Sequence, residues 1–153
     1  MEITTLFEKP SYAKDVSHMI YGEFVVGTSS RMVFSDVEVF FQNTNFDTFP
    51  LTFIAIKNDA CVGTVSVFEN DFKKRPQYTP WLASLYVQPT YRDQKIGQQL
   101  MNYLLNHVKL LGISEIYLKT ENASDYYIKR GWKLVETIHE TDGEMVDIFK
   151  YTP

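Results

Sequence analysis

A turn rich in charged residues joins an apolar segment to a helical pattern in the second half of the chain. The apolar segment is Trp81–Val87, and apolar residues at helical spacing begin near Gly97. Between them, Arg92 and Lys95 place two positive charges directly before a helix N-terminus, which presents unpaired N–H groups and a partial positive charge. Gly97 leaves the backbone open to close approach. The turn is therefore a candidate phosphate site, and a plain strand-to-helix connection with solvated bases is the alternative.

Other reactive side chains are sparse and scattered. The turn lacks the glycines of a Walker loop or of a dinucleotide fingerprint. A single cysteine, Cys61, excludes an internal disulfide and is far in sequence from any base that would activate a catalytic thiol. His18, His107 and His139 are widely separated, so we expect no shared metal site and no metal cofactor.

Hydrophobic periodicity predicts the elements that must position the turn. Strands are expected at 3–7, Leu51–Lys57, Ala60–Phe68, Trp81–Val87, 113–119, Lys133–His139 and Met145–Tyr151. Helices are expected from Pro10 to Phe24, from an N-cap at Ser35 with Glu38 completing a capping box, at 97–111 and at 124–130. The order β-α-α-β-β-β-α-β-α-β-β predicts a mixed sheet with helices on its faces, an α/β or α+β fold.

Composition limits the class of protein. The 153 residues are expected to form one domain, 1–153, with 44% hydrophobic and 22% charged residues. With 15 Lys and Arg against 19 Asp and Glu, the net charge is −4, which weighs against a nucleic-acid partner. No apolar run is long enough to cross a membrane, and no signal peptide is visible, so a cytoplasmic location is expected.

Two motifs resemble those of the GNAT N-acetyltransferases. Segment 85–100 reads LYVQPTYRDQKIGQQL and is similar to the family's acetyl-CoA motif Arg/Gln-x-x-Gly-x-Gly/Ala, which falls on Arg92, Lys95 and Gly97. Segment 126–132 reads YYIKRGW and is similar to the family's Tyr-x-x-x-Gly-Phe, with Trp132 in the Phe position. Together with the element order, the resemblance covers the whole chain. It implies a mostly antiparallel central sheet of about six or seven strands flanked by about four helices.

The resemblance implies acetyl-CoA as the donor, with CoA as the product. Its pantetheine arm would pair with the strand edge at Leu85, Tyr86 and Val87, which is exposed because two central strands splay apart. The pyrophosphate would lie on the N–H groups of Asp93, Gln94, Lys95, Ile96, Gly97 and Gln98, with the side chains of Arg92 and Lys95 beside it. Asn122 is a further candidate for the pantetheine amide. Lys95 departs from the family pattern, since it stands where glycine is usual and would be strained by a positive φ.

Tyr127 is the candidate general acid under the same resemblance. A phenol can donate a hydrogen bond or a proton to the departing thiolate, although its usual pKa of about 10 lies above the thiol's value of about 8.5. A purely packing role for the ring is the alternative. Tyr126 is expected to belong to the core.

The acceptor amine must lose a proton before it attacks, and the candidate bases are carboxylates. Many relatives place one on the strand before the short helix, where this chain has Lys119. Glu69 is the candidate base, Asp71 a base or amine anchor, and Glu121 a third option; each could equally be a surface carboxylate. Ser84 is expected to line the acceptor side.

The function indicated is transfer of an acetyl group from acetyl-CoA to a primary amine of a small molecule or peptide, by direct attack in a ternary complex. A catalytically silent CoA-binding or regulatory module is the main alternative, suggested by Lys95 and by the missing strand carboxylate. A third possibility is a relative that shares only the fold and binds another phosphorylated ligand. We expect no nucleic-acid or membrane partner, and either a monomer or a homodimer.

Overall fold

A computed structural model describes all residues from Met1 to Pro153, and its elements follow the predicted order. The strands are β1 (Glu2–Thr5), β2 (Leu51–Lys57), β3 (Ala60–Phe68), β4 (Trp81–Val87), β5 (Ile116–Thr120), β6 (Lys133–His139) and β7 (Met145–Tyr151). The helices are α1 (Ala13–Phe24), α2 (Phe34–Gln42), α3 (Ile96–Leu110) and α4 (Ser124–Lys129). None of these helices has the length and apolar character needed to cross a membrane.

The seven strands form one sheet in the order β1-β2-β3-β4-β5-β7-β6. Every neighbouring pair is antiparallel except β4 and β5, which run parallel. The expected mixed, mostly antiparallel sheet with four helices is therefore confirmed.

Both faces of the central hairpin are buried because helices cover both sides of the sheet. Phe53 packs in one core cluster with Leu100 and Leu104 of α3. Its neighbour Ile54 packs in a second cluster with residues of α1 and α2, such as Ile20. Successive side chains of a strand point to opposite faces, so β2 and β3 read as continuous apolar runs. This sandwich holds β4, the strand that leads into the charged turn, at the centre of the molecule.

The start of α2 differs from the prediction. The helix begins at Phe34, and the carboxylate of Asp36 accepts a hydrogen bond from the Val33 N–H at 3.3 Å. Ser35 therefore lies inside the first turn, and the Ser35–Glu38 capping box was wrong. Because Asp36 stands three residues after Val33, it satisfies the N–H that the predicted pair would have left open.

The fifth strand is shorter than predicted because the end of α3 uses the intervening residues. Gly112 adopts φ +81°, and the Ile113 N–H donates back to the Val108 carbonyl at 3.1 Å. This pairing is that of a Schellman cap, in which the residue after the glycine still belongs to the helix end. β5 consequently starts at Ile116.

Candidate active site

β4 carries an extra residue where it passes β3. Ser66 pairs with Ala83 and Thr64 with Tyr86, so Ser84 and Leu85 together oppose a single residue of β3. Ser84 adopts φ +56°, a left-handed conformation that is uncommon for serine. Such a β-bulge bends the strand and re-aims its side chains, and bulges are common beside active sites.

β4 and β5 separate beyond a single pairing of Trp81 with Tyr117. The gap is a cleft of about 490 Å³, between the middle of β4, the C-terminal half of β5, the end of α1 and the start of α4. We call it the cleft. The predicted site residues that line it are Asp71, Ser84, Leu85, Asn122 and Tyr127. The expected splaying of two central strands is thus present, and it brings these five side chains to one opening.

Aromatic packing fixes the ring of Tyr127 against the wall of the cleft. The ring lies edge-on to Trp132 with centroids 6.1 Å apart, and 6.3 Å from Phe149. The turn after α4 returns the chain to this point, because the Trp132 N–H donates to the Tyr127 carbonyl at 3.1 Å. Burial raises the pKa of the Tyr127 phenol above its usual value, so the hydroxyl stays protonated well into alkaline solution.

Asp71 is the predicted carboxylate that reaches the cleft. Burial raises the pKa of its carboxyl, against the opposing effect of Lys119, whose Nζ lies 3.7 Å from Asp71 Oδ2. The Lys119 ammonium also donates to the Asp71 backbone carbonyl. The lysine that stands in place of a strand carboxylate therefore holds the 69–80 loop against β5 and partly neutralises Asp71.

The other two candidate bases lie outside the cleft. Glu69 is exposed and lines a neighbouring small cavity with Phe40 and Phe68. A role for Glu69 as base would therefore need a chain of water molecules. Glu121 lies close to Glu144, where it raises the pKa of the Glu144 carboxyl.

A second opening, of about 360 Å³, lies where β4 ends and α3 begins, and we call it the cradle. It is lined by Val87, Tyr91, Arg92, Asp93, Lys95, Ile96, Gly97, Gln98, Tyr126 and Arg130. Lys95 is the N-cap of α3 with φ +63°, so the strain anticipated at this position is present. The N–H groups of Ile96, Gly97 and Gln98 precede the first intrahelical donor, Gln99, whose bond goes to the Lys95 carbonyl at 3.1 Å.

Four of the residues predicted for the donor site lie away from the cradle. The side chain of Gln94 accepts a hydrogen bond from Lys57 Nζ at 3.2 Å, outside the opening. Leu85 and Asn122 line the cleft instead. Tyr86 packs under the Arg92 guanidinium, 5.3 Å from ring centroid to Cζ. Arg92 is further held by a 2.9 Å hydrogen bond from its Nε to the Val87 carbonyl.

Arg130 is a residue of the cradle that the sequence analysis missed. Its guanidinium lies over the ring of Tyr126 at 3.4 Å, and Nη1 donates to the Tyr126 carbonyl at 3.0 Å. Its Nε is buried without any hydrogen-bond partner. The available signal was the spacing of four residues between Tyr126 and Arg130, which places both on one face of a helix. Tyr126 packs on the core as expected and also forms part of the cradle wall.

The cradle suits a phosphorylated ligand in charge and in shape. Arg92, Lys95 and Arg130 give three positive charges against the one negative charge of Asp93, so the excess is 3 − 1 = +2. A Cβ added to Gly97 would meet only Val87 Cγ2, at an ordinary 3.8 Å. Packing within the protein therefore does not require glycine at position 97, and the space beside Gly97 is part of the cradle.

Comparison with known proteins identifies the family of the chain. The family model described as "Acetyltransferase (GNAT) family" matches residues 16–132. A curated relative, an uncharacterised N-acetyltransferase of Schizosaccharomyces pombe, is 29% identical over 100 residues, which are 63% of this chain and 68% of that protein.

Solved structures share the fold over nearly the whole chain. An aminoglycoside 6′-N-acetyltransferase complexed with coenzyme A has a TM-score of 0.77 at 18% identity, covering 99% of this chain and 97% of the other. A ribosomal-protein-alanine N-acetyltransferase from Brucella melitensis has a TM-score of 0.74 at 14% identity, with both chains covered fully, 100% and 100%. Because the family model spans well over half of the sequence, this chain belongs to the acetyltransferase (GNAT) family.

Proposed function

We propose that this protein transfers an acetyl group from acetyl-CoA to a primary amine, by direct attack of the amine while both substrates occupy the site. The observation that carries the proposal is the arrangement of the two openings along β4. The cationic cradle lies at the end of the strand, at Val87, and the cleft with Tyr127 lies beside its bulged middle, at Ser84 and Leu85. Membership of an acetyltransferase family and the coenzyme A complex of a structural neighbour support it.

Acetyl-CoA fits the residues that the chain presents. The free N–H groups at the start of α3, together with Arg92, Lys95 and the unpaired Nε of Arg130, would hold its phosphates. The edge of β4 at 85–87 and Asn122 would receive the pantetheine arm. When bound, acetyl-CoA supplies an activated thioester.

Tyr127 and Asp71 are the groups that we assign to proton handling in the cleft. The Tyr127 phenol stays protonated because burial raises its pKa, and it donates a hydrogen bond or a proton to the departing sulfur. Asp71 anchors the ammonium form of the acceptor and accepts its proton directly or through water. The ammonium form of an alkylamine has a pKa of about 10.4. Burial raises the pKa of the Asp71 carboxyl towards this value without reaching it, so proton transfer from the ammonium group to Asp71 is less unfavourable than transfer to an ordinary carboxylate.

Binding of acetyl-CoA should raise the melting temperature of the protein. At about 100 times Kd a ligand adds about 2.7 kcal/mol to the stability, which corresponds to roughly 5–10 °C for a domain of this size. ATP at the same concentration is the control, because it carries phosphates but no pantetheine arm, and it should give a clearly smaller shift. An equal shift with ATP would identify a general phosphate site. No shift with acetyl-CoA would contradict the proposed function.

Replacing Lys95 with glycine should move stability and affinity in opposite directions. Lys95 holds φ +63°, and relieving a left-handed conformation at a non-glycine residue gains about 1 kcal/mol, or roughly 2–4 °C in Tm. The same change removes one positive charge from the cradle and should weaken acetyl-CoA binding by about three- to tenfold. Calorimetry and thermal melting of the Lys95→Gly variant check both signs. An unchanged affinity would take the Lys95 side chain out of the phosphate site.

A further inference from the structure

An apolar pocket opens beside the cleft, between β4, the end of α1 and α2. It has a volume of about 260 Å³, and eight of its ten lining residues are hydrophobic. Ser30 and Ser84 are its polar lining residues, and no charged side chain lines it. We call it the apolar pocket.

The rim of the apolar pocket exposes large hydrophobic side chains. Phe24, Met32 and Phe40 are 45%, 46% and 38% exposed. The ring of Phe40 is held edge-on to Phe68, with centroids 5.4 Å apart at 89°, so this wall has a defined shape. Such a cluster, grouped around one concavity, is typical of a binding site for an apolar group.

The apolar pocket adjoins the cleft, since the two openings share lining residues. Phe24 and Ser84 line both openings. The helices α3 and α4, which line much of the cradle and carry Tyr127, contribute no residue to the apolar pocket. A group seated there would therefore leave the cradle free for the donor's phosphates, because the two openings share no lining residue.

The charges around the cleft match one ammonium group. Its charged lining residues are Glu23, Asp71 and Lys119, which together carry a net charge of −1. A polycationic acceptor would need several carboxylates to replace the water that its ammonium groups lose. A single net negative charge beside an apolar pocket instead favours a monoamine whose remaining part is hydrophobic.

We infer that the acceptor is a small primary monoamine carrying an aromatic or branched aliphatic group, with that group in the apolar pocket and its nitrogen in the cleft. This inference rests on the proposed acetyl transfer. An engineered cavity of about 150 Å³ accepts benzene, so about 260 Å³ holds one ring and a short chain. As the N–C bond forms, the C–S bond breaks, the sulfur takes the bonding pair and a proton, and the nitrogen releases its proton to Asp71 or water. The products are an amide and the CoA thiol.

An acceptor panel with a matched pair of variants tests the inference. Phenethylamine, ethylamine, spermidine, kanamycin and a peptide with N-terminal phenylalanine are compared by kcat/KM, using free thiol release. We expect phenethylamine to exceed ethylamine by about 10- to 100-fold, because burying a ring contributes on this scale. Phe40→Ala should remove most of this difference and leave the KM for acetyl-CoA unchanged. Phe46→Ala should preserve the difference, because Phe46 is also an exposed phenylalanine but lies outside the pocket.

The outcomes separate this inference from the function on which it rests. Transfer with equal kcat/KM for all amines, or a preference for kanamycin, spermidine or the peptide, would overturn the acceptor class and leave acetyl transfer standing. A phenethylamine preference that survives Phe40→Ala would overturn the pocket assignment. If no amine is acetylated, saturation-transfer NMR with phenethylamine and CoA still decides: binding that Phe40→Ala abolishes supports the pocket, and absence of binding removes it.

Discussion

Replacing Tyr127 with phenylalanine should lower kcat by about 100-fold while acetyl-CoA affinity stays within about twofold. The variant keeps the ring that packs against Trp132 and Phe149 and removes only the hydroxyl. A positioned general acid contributes about 10²–10⁴-fold to a rate, and we place this variant at the lower end because a phenol is a weaker acid than the thiol it serves. Steady-state kinetics and calorimetric titration with acetyl-CoA measure the two quantities.

Tyr126→Phe is the matched control for this prediction. Tyr126 is the adjacent tyrosine on the same helix, but it lines the cradle and not the cleft. Its hydroxyl should therefore be dispensable for kcat. The pH profile gives a second check: burial raises the pKa of Tyr127, so loss of its proton should lower kcat only at a pH above the usual titration range of tyrosine. An unchanged kcat in Tyr127→Phe would show that the hydroxyl has no part in the chemistry.

Replacing Arg130 with methionine should weaken acetyl-CoA binding by about 10- to 100-fold. Methionine retains an unbranched apolar stem to lie against Tyr126 and removes the guanidinium. Hydrogen bonds to charged groups contribute about 1.5–3 kcal/mol, which corresponds to this range in Kd. Without ligand, Arg130→Met should be as stable as the wild type or more stable, because the buried Nε that lacks a partner is gone. Calorimetry and thermal melting report the two effects separately.

Lys129→Met is the control for Arg130→Met. Lys129 precedes Arg130 at the end of the same helix, is exposed, and lines neither opening. Its loss should change the acetyl-CoA Kd by no more than about twofold, since an exposed charge away from the ligand is screened. Equal losses in the two variants would mean that long-range charge, and not the position of Arg130 in the cradle, governs binding.

The parts of the fold that sequence predicted well are those governed by local chemistry. The hairpin at 51–68 was placed correctly because Asn58 and Asp59 both adopt positive φ, 52° and 63°, as a tight hairpin turn requires. The helix at α3 followed from its apolar stripe and from Gly112 as its stop. The start of α2 was predicted wrongly because two acidic residues, Asp36 and Glu38, could each accept a hydrogen bond from the N–H three residues earlier.

The parts of the site that depend on tertiary geometry could not be predicted from residue types. The bulge places Ser84 at φ +56°, and no glycine in the sequence marks this position. Glu69 and Asp71 are two residues apart in sequence, yet only Asp71 reaches the cleft, as the chain turns towards Lys119. Gln94 lies within the motif, but its side chain is drawn to Lys57 from the neighbouring hairpin.

The most direct test of the account is acetyl transfer itself. Purified protein is incubated with acetyl-CoA and phenethylamine, and free thiol and the N-acetylated amine are quantified together, the amide by mass spectrometry. The account predicts saturable, amine-dependent thiol release with one amide formed per thiol, and a rate about 100-fold lower in Tyr127→Phe. If acetyl-CoA binds but no amine in the acceptor panel is acetylated, the protein is a CoA-binding module and the transferase assignment is wrong.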